Sequence, residues 1–420
     1  MTNSTVGVGV ITYRDGVATF PGYFQEEPYY DIANLEVLRG PQGTFIGQNA
    51  IGGALFITET NPSLNGGYHG YLQGQAGNYQ DAALQGAVNI PISDTLAARV
   101  AFDDEYRGSF YQVTGAAGAS VGLLKESSAR VSFLWTPTSQ INVLFKTDLN
   151  YINMGGYPDS PATATTDPFK ISSDAHNFAE DKFGRSLVDS SYTFGDGIKL
   201  RSVTGFQEGR TAATYDLDGT DLFNFTINDH VDEQVFSQEF NLISPSEGLF
   251  TWVAGVYYQH NNFRYPVGDT PGYQVLYPGI VDYYFNGKQS SETTAEFGQV
   301  SFNLPAGFQI QAGLRNTQSS NANHLNIHYD YPTGDIPIPQ DQTERDQKVT
   351  GKVTLNWTLD PYNFLYAFVA TGPQIRRRQR ADGAGPRRAD QAGGRHRLRN
   401  RLEERGAGAS SPLPDRLLLL

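Results

Sequence analysis

Apolar and polar residues alternate one for one along much of the chain. Within 82–90, Leu84, Gly86, Val88 and Ile90 alternate with Ala83, Gln85, Ala87 and Asn89. Within 96–103, Leu96, Ala98, Val100 and Phe102 alternate with Arg99, Ala101 and Asp103. The stretch 141–150 sets Ile141, Val143, Phe145 and Leu149 against Asn142, Lys146, Asp148 and Asn150. The same texture returns at 308–315, with Phe308, Ile310 and Leu314 on one side, and at 348–358, with Val349, Val353, Leu355 and Trp357. Successive side chains of a strand point to opposite faces, so each stretch predicts a strand with a greasy side and a wet side. Thirteen such strands are predicted, starting near 67, 81, 95, 124, 140, 185, 197, 231, 249, 288, 307, 345 and 361.

Period-two alternation also suits a soluble sandwich, and the connections discriminate better. Every second one is tight: Pro91–Asp94, Thr136–Ser139, Gly195–Gly197, Ser244–Gly248, Pro305–Gly307 and Asp360–Asn363. The others are read as mostly long, at 108–123, 151–184, 209–230, 261–287 and 318–344. Short turns on one rim and long loops on the other is the pattern of an outer-membrane barrel. Structureless loops above about 15 residues are unusual in compact soluble domains. Within 292–304 the alternation breaks near Gly298, where a bulge is expected.

Ahead of the strands lies a different texture. The stretch DIANLEVLRGPQGTFIGQNAIGGALFITETNP runs from Asp31 to Pro62, with Gly40, Gly43, Gly47, Gly52 and Gly53 packed into fourteen residues. Glycines that dense permit tight turns and close backbone approach. The segment 54–58 reads as a short strand after them, and 5–11 and 17–20 read as short strands before them. The run LRGPQGTFIGQNAIGGALFITETNP resembles the end of the plug domain of TonB-dependent outer-membrane receptors. YRDGV at 13–17 and PGYFQ at 21–25 fit the same plug.

The resemblance implies an all-β fold: a partial transmembrane antiparallel β-barrel, about thirteen of the roughly 22 strands such barrels have, with a small α+β plug remnant. It divides the chain into the C-terminal part of a plug at 1–62, the N-terminal part of a barrel at 63–372 and a basic tail at 373–420. It also implies a monomer in the outer membrane. That monomer imports a scarce solute, a ferric siderophore being the commonest, with energy from the TonB–ExbB–ExbD complex. Outer-membrane lipid and an iron chelate or other bulky nutrient are the expected partners. No enzyme activity, cofactor, metal site or nucleic-acid partner is expected. A passive porin is the alternative, and so is a soluble β-rich binding or adhesion domain.

Composition sharpens the division. The formal charge of −13 combines a tail of 12 basic and 5 acidic residues with a body holding 19 basic and 39 acidic ones. All 52 aromatic residues precede Pro373, the last being Phe368. The tail therefore reads as a basic disordered segment, expected to be a translation of the wrong frame. The start, MTNSTVGVGV, lacks the basic start and apolar core of a signal peptide, so a truncated receptor that does not itself transport is expected. There is no cysteine, so no disulfide framework or thiolate metal site is proposed.

No catalytic motif stands out. His324 and His328 are four apart in an Asn-rich stretch read as a solvated loop. Asp216, Asp218 and Asp221 resemble a calcium loop loosely, with the glycine misplaced for an EF-hand. The resemblance singles out Glu36 and Arg39 in the plug and Glu239 on the wet face of a barrel strand, and it pairs Arg39 with Glu239. Tyr257, Tyr258, His260, Tyr283 and Tyr284 cluster where long loops meet strands; they are read as an interfacial girdle or a ligand-contacting vestibule.

Overall fold

The computed structural model describes residues 10–24, 27–39, 53–115, 120–161, 167–267, 272–277, 282–360 and 363–371, the side chain of Arg39 excepted. The glycines at 40, 43, 47 and 52 and the tail from 373 lie outside the described residues.

An inner sheet comes first. It is formed by β1 (Val10–Arg14), β2 (Val17–Ala18), β3 (Ile32–Arg39) and β4 (Gly53–Glu59), in the order β2-β1-β4-β3. Asp15 and Gly16 make the two-residue turn between β1 and β2, both at positive φ (48° and 86°). Asp-Gly is the residue pair a type I′ hairpin selects, because its twist matches that of the flanking strands. β1 then pairs parallel to β4, which carries the residues read as a strand at 54–58. The strand expected at 5–11 begins only at Val10 among the described residues and runs on to Arg14. Gly53 is buried at φ 147° within β4. Among the described residues this unit contains no α-helix.

The wall follows: β5 (His69–Ala76), β6 (Ala82–Ser93), β7 (Leu96–Arg107), β8 (Gln112–Thr114), β9 (Leu124–Thr138), β10 (Ile141–Asn153), β11 (Lys170–Ser172), β12 (Phe178–Thr193), β13 (Lys199–Asp216), β14 (Thr226–Ile243), β15 (Phe250–Tyr265), β16 (Tyr273–Leu276), β17 (Asp282–Asn303), β18 (Phe308–Tyr331), β19 (Gly334–Asp360) and β20 (Asn363–Ala370). β8 and β11 pair with each other, and β16 lies off the main path against β14 and β17. The remaining thirteen strands form one antiparallel sheet in chain order from β5 to β20. Thirteen is the number the alternation predicts, and each predicted tight turn joins two of them.

Three expectations are corrected. The stretch 318–344 is no loop: β18 and β19 are 24 and 27 residues long and pair without interruption up to Tyr331 and Gly334. Its Asn, Gln and Ser residues hide the strand from a pattern search because 316–324 is polar at every position but Ala322. The stretch 209–230 shrinks to a connection at 217–225, since β13 runs to Asp216 and β14 starts at Thr226. Near Gly298 the pairing of β17 is regular with both neighbours, so no bulge forms there.

The wall carries its apolar side chains outward. Leu84 (45%), Leu149 (69%), Leu314 (65%) and Val349 (65%) are exposed. Their strand neighbours Asn89, Lys146, Asp148, Arg315 and Thr350, on the opposite parity, are buried. This inverts the ordinary rule that buried means apolar. Trp135, Tyr192, Phe250, Phe302, Phe308, Trp357 and Phe364 stand within a few residues of the tight turns, a ring of aromatics along that rim. The buried face meets the inner sheet from many directions. Asn89 in β6 holds Ser63, Val17 lies against Gly205 in β13, and Tyr23 packs on Phe263 in β15. A sheet whose inner face touches one small unit from β6 to β15 must curl around it.

Candidate functional site: the boundary between inner sheet and wall

The densest chemistry lies where these layers meet. Four acidic and five basic residues are buried there, Glu27, Asp31, Glu59 and Asp148 with Arg14, Arg99, Arg130, Lys146 and Arg185, and the Asp15 side chain, 7% exposed, makes a tenth. Five of them belong to the first sixty residues and five to the wall, so the pairs cross the boundary.

Glu59, at the end of β4, is the hub. Arg130 Nη2 of β9 lies 2.7 Å from its Oε1, an ion pair without hydrogen-bond alignment. Arg14 Nη1 donates to the same oxygen at 3.2 Å, and Lys146 Nζ of β10 donates to the Glu59 carbonyl at 3.1 Å. The Asp15–Gly16 turn aims Asp15 at the wall, where Lys146 Nζ reaches its Oδ2 at 2.7 Å. Glu27 bridges Arg14 (2.6 Å) and Arg185 of β12 (2.7 Å). Arg185 Nε donates to Gln207 Oε1 at 3.0 Å, and Gln207 Nε2 donates to the Ala18 carbonyl at 2.7 Å. Asp31 receives both forks of Arg99, Nε at 2.7 Å and Nη2 at 2.5 Å. The Arg130 guanidinium also lies over the Tyr30 ring at 4.4 Å.

Charge is thus matched one for one in a place water does not reach. Attraction inside such a cluster is offset by the loss of hydration, so it fixes geometry more than it adds net stability. For Asp15, burial outweighs Lys146 and pushes the carboxyl up to about 6. For Glu59, burial acts the same way, but Arg130, Lys146 and Arg14 outweigh it and hold the carboxyl below its ordinary range. Farther along, the Tyr23 hydroxyl donates to Asp229 Oδ2 of β14 at 3.1 Å, and Phe20 and Phe24 pack on Phe183.

The residues singled out from sequence fall in different places. Glu36 is exposed on β3, taking a hydrogen bond from Asn34 Nδ2 at 2.8 Å. The Arg39 side chain is outside the described residues. Glu239 is half-buried on the inner face, with Asn241 Nδ2 donating to its Oε1 at 2.7 Å. Strand parity separates Tyr257, which faces inward beside Arg315, from Tyr258 and His260, which face outward. Tyr283 lies 6.3 Å from Tyr277, ring to ring. Tyr284 stacks on His328 at 4.3 Å, and its hydroxyl donates to Asp335 at 3.3 Å. His324 and His328 stand on a strand and face Asp341 and Asp335 at 2.8 and 2.7 Å. The Asp216 and Asp218 carboxylates accept from their own turn's amides, including Gly219 and Phe225. Among the described residues no group of three potential ligands converges on a metal position.

Sequence reasoning missed the ten-residue charge cluster. Its one available signal was the set of wet-face charges Arg99, Arg130, Lys146 and Arg185. Nothing local says that these meet buried carboxylates and not water.

No family model matches the sequence. Solved structures do match the fold. One is the ferric yersiniabactin uptake receptor FyuA from Yersinia pestis, 18% identical over 87% of this chain and 55% of that one, with a TM-score of 0.74. Another is the open form of the ferric-catecholate import receptor Fiu from E. coli K12, 14% identical over 87% and 63%, at 0.66. A third is the siderophore receptor PiuA from Acinetobacter baumannii, 12% identical over 86% and 56%, at 0.65. The chain has the fold of these receptors and spans little more than half of their length. The resemblance drawn from 38–62 is therefore borne out in architecture: a partial β-barrel wall around a plug.

Proposed function

We propose that this chain is the plug-bearing part of a TonB-dependent receptor that imports a bulky solute, a ferric siderophore, across the outer membrane. In this reading 1–62 belong to the plug and 63–372 to the barrel, and the remaining wall and the TonB-contacting segment lie in a longer protein. The coverage of the matched receptors and the outer edges of β5 and β20, which pair with no further strand among the described residues, support that assignment. An open edge cannot face hydrocarbon, where unpaired backbone groups have no partner.

The single observation that carries the reading is the buried charge cluster joining β1, β4 and the 27–31 segment to β7, β9, β10 and β12. A cork held by matched charges, not by apolar packing alone, can be released by a pull that admits water. Hydration then replaces each ion pair at little net cost. Arg99, Arg130, Lys146 and Arg185 hold the carboxylates of the plug; Arg14 ties Glu27 to Glu59 within it. No bond is made or broken in the solute, so the role is transport and not catalysis.

A passive porin would need an open lumen, and here Asp15, Glu27, Asp31 and Glu59 lie against the inner face of β7, β9, β10 and β12. A soluble binding domain would not expose Leu149 and Leu314 on its outer wall. The test is uptake by cells lacking their own iron receptors and carrying this gene with its flanking DNA. Accumulation of a radio-iron siderophore that stops when TonB is deleted supports the proposal. Accumulation indifferent to TonB supports the porin and overturns it.

A further inference from the structure

Six basic side chains are buried among the described residues, and five of them meet a carboxylate. Arg315 is the sixth. It is 2% exposed on the inner face of β18, and its Nη2 reaches no acceptor. Its Nε donates to Thr317 Oγ1 at 3.1 Å. The guanidinium lies over the Phe297 ring at 5.2 Å and the Tyr257 ring at 5.5 Å. Tyr13 of the plug hairpin is close enough to act on it electrostatically, so the residue stands at the plug boundary.

An arginine cannot shed its proton at any accessible pH. A buried cation without an anion carries a desolvation penalty that ring faces return only in part. The candidate partners do not supply the anion. Glu239, three strands away in the sheet and bonded to Asn241, acts on Arg315 electrostatically from beyond Tyr257 but makes no ion pair with it. The plug stretch 40–52 contains no acidic residue. A planar fork with a free Nη2, set among aromatic faces, fits a planar oxyanion.

We propose that Arg315, with Tyr257 and Phe297, forms an oxyanion-binding site on the barrel's inner wall. It takes a carboxylate, and during import it takes the carboxylate of a solute as the plug hairpin withdraws. The second clause rests on the transport reading; the first does not.

The receptor that carries this chain, purified in detergent micelles, is melted with increasing formate at ionic strength held constant by chloride. Formate is expected to raise the melting temperature saturably. Arg315→Met should abolish the rise, and it should itself fold, because removing an unpaired buried charge relieves a penalty. Arg315→Lys should weaken formate binding about tenfold, since a point charge lacks the fork. An equal formate response in Arg315→Met, or none in the parent chain, overturns the site. For the second clause, uptake of carboxylate-bearing and carboxylate-free ferric chelates is compared in the receptor carrying Arg315→Met. Slowing confined to the carboxylate-bearing chelate supports the clause; equal slowing or none overturns it while leaving the formate result standing. Loss of all uptake in the parent receptor overturns the transport reading and, with it, only this clause.

Discussion

At Asp15 burial and charge pull in opposite directions, and burial wins. Its carboxyl, ordinarily at 3.8, stands at about 6 in the folded chain. A folded-state value above the unfolded one means that this residue's contribution is full below the ordinary value. It is then lost as the pH rises through about 6. The gap corresponds to roughly 3 kcal/mol. Melting curves of the parent chain and Asp15→Asn should therefore diverge, the parent losing ground as the pH goes from about 4 to about 6. A constant difference would refute this. Glu59 has the opposite sign: held low, it contributes above its ordinary value and loses that contribution as the pH falls. Arg99 and Asp31 give a cleaner residue-scale test. Arg99→Met alone should cost about 3–5 kcal/mol by stranding a buried carboxylate. Adding Asp31→Asn should recover most of the loss, because Asn tolerates the positive φ of 52° at that position. Additive losses in the double variant would sink the pair as a coupled unit.

Among the elements, β13 shows how closely the wall is cut to the plug. A Cβ added at Gly205 would lie 2.6 Å from Val17 Cγ1, and one at Gly209 would lie 2.6 Å from Phe24 Cζ. Alanine at either position should loosen plug seating by about 1–3 kcal/mol, the usual cost of overpacking. Alanine at Gly195, where nothing lies within 4 Å, should change stability by less than about 0.5 kcal/mol. Urea denaturation of the three variants reads this, and equal midpoints would argue against a tailored contact. The β18–β19 hairpin teaches the opposite lesson. Its middle presents polar residues on both sides, as in Asn321 and Asn323 opposite Glu344 and Gln342 and Gln318 opposite Gln347. A strand wet on two faces leaves no alternation to read, which is why the sequence pattern ends near 318.

For the whole molecule, the outward belt is the decisive feature. Trp135, Trp252 and Trp357, the three tryptophans of the chain, share the parity of the apolar outer positions. In vesicles of phosphatidylcholine with brominated acyl chains, their fluorescence should be strongly quenched relative to unbrominated vesicles. Unquenched emission would mean that the wall does not face hydrocarbon. An exposed apolar surface of this extent on a chain with net charge −13 otherwise predicts aggregation in water.

The sequence by itself determined the strands, their number, the tight-turn rim and the outward greasy face. Alternation and turn chemistry are local, and a strand's two faces are written in successive residues. What it could not decide is which wet-face charges stay wet. Lys146 and Lys348 both stand on the wet side of their strands, yet one is buried against Asp15 and Glu59 and the other is partly exposed beside Asp346. That difference arises only when a curled sheet brings residues more than a hundred positions apart onto one small core, because burial is a property of the assembled surface and not of the strand.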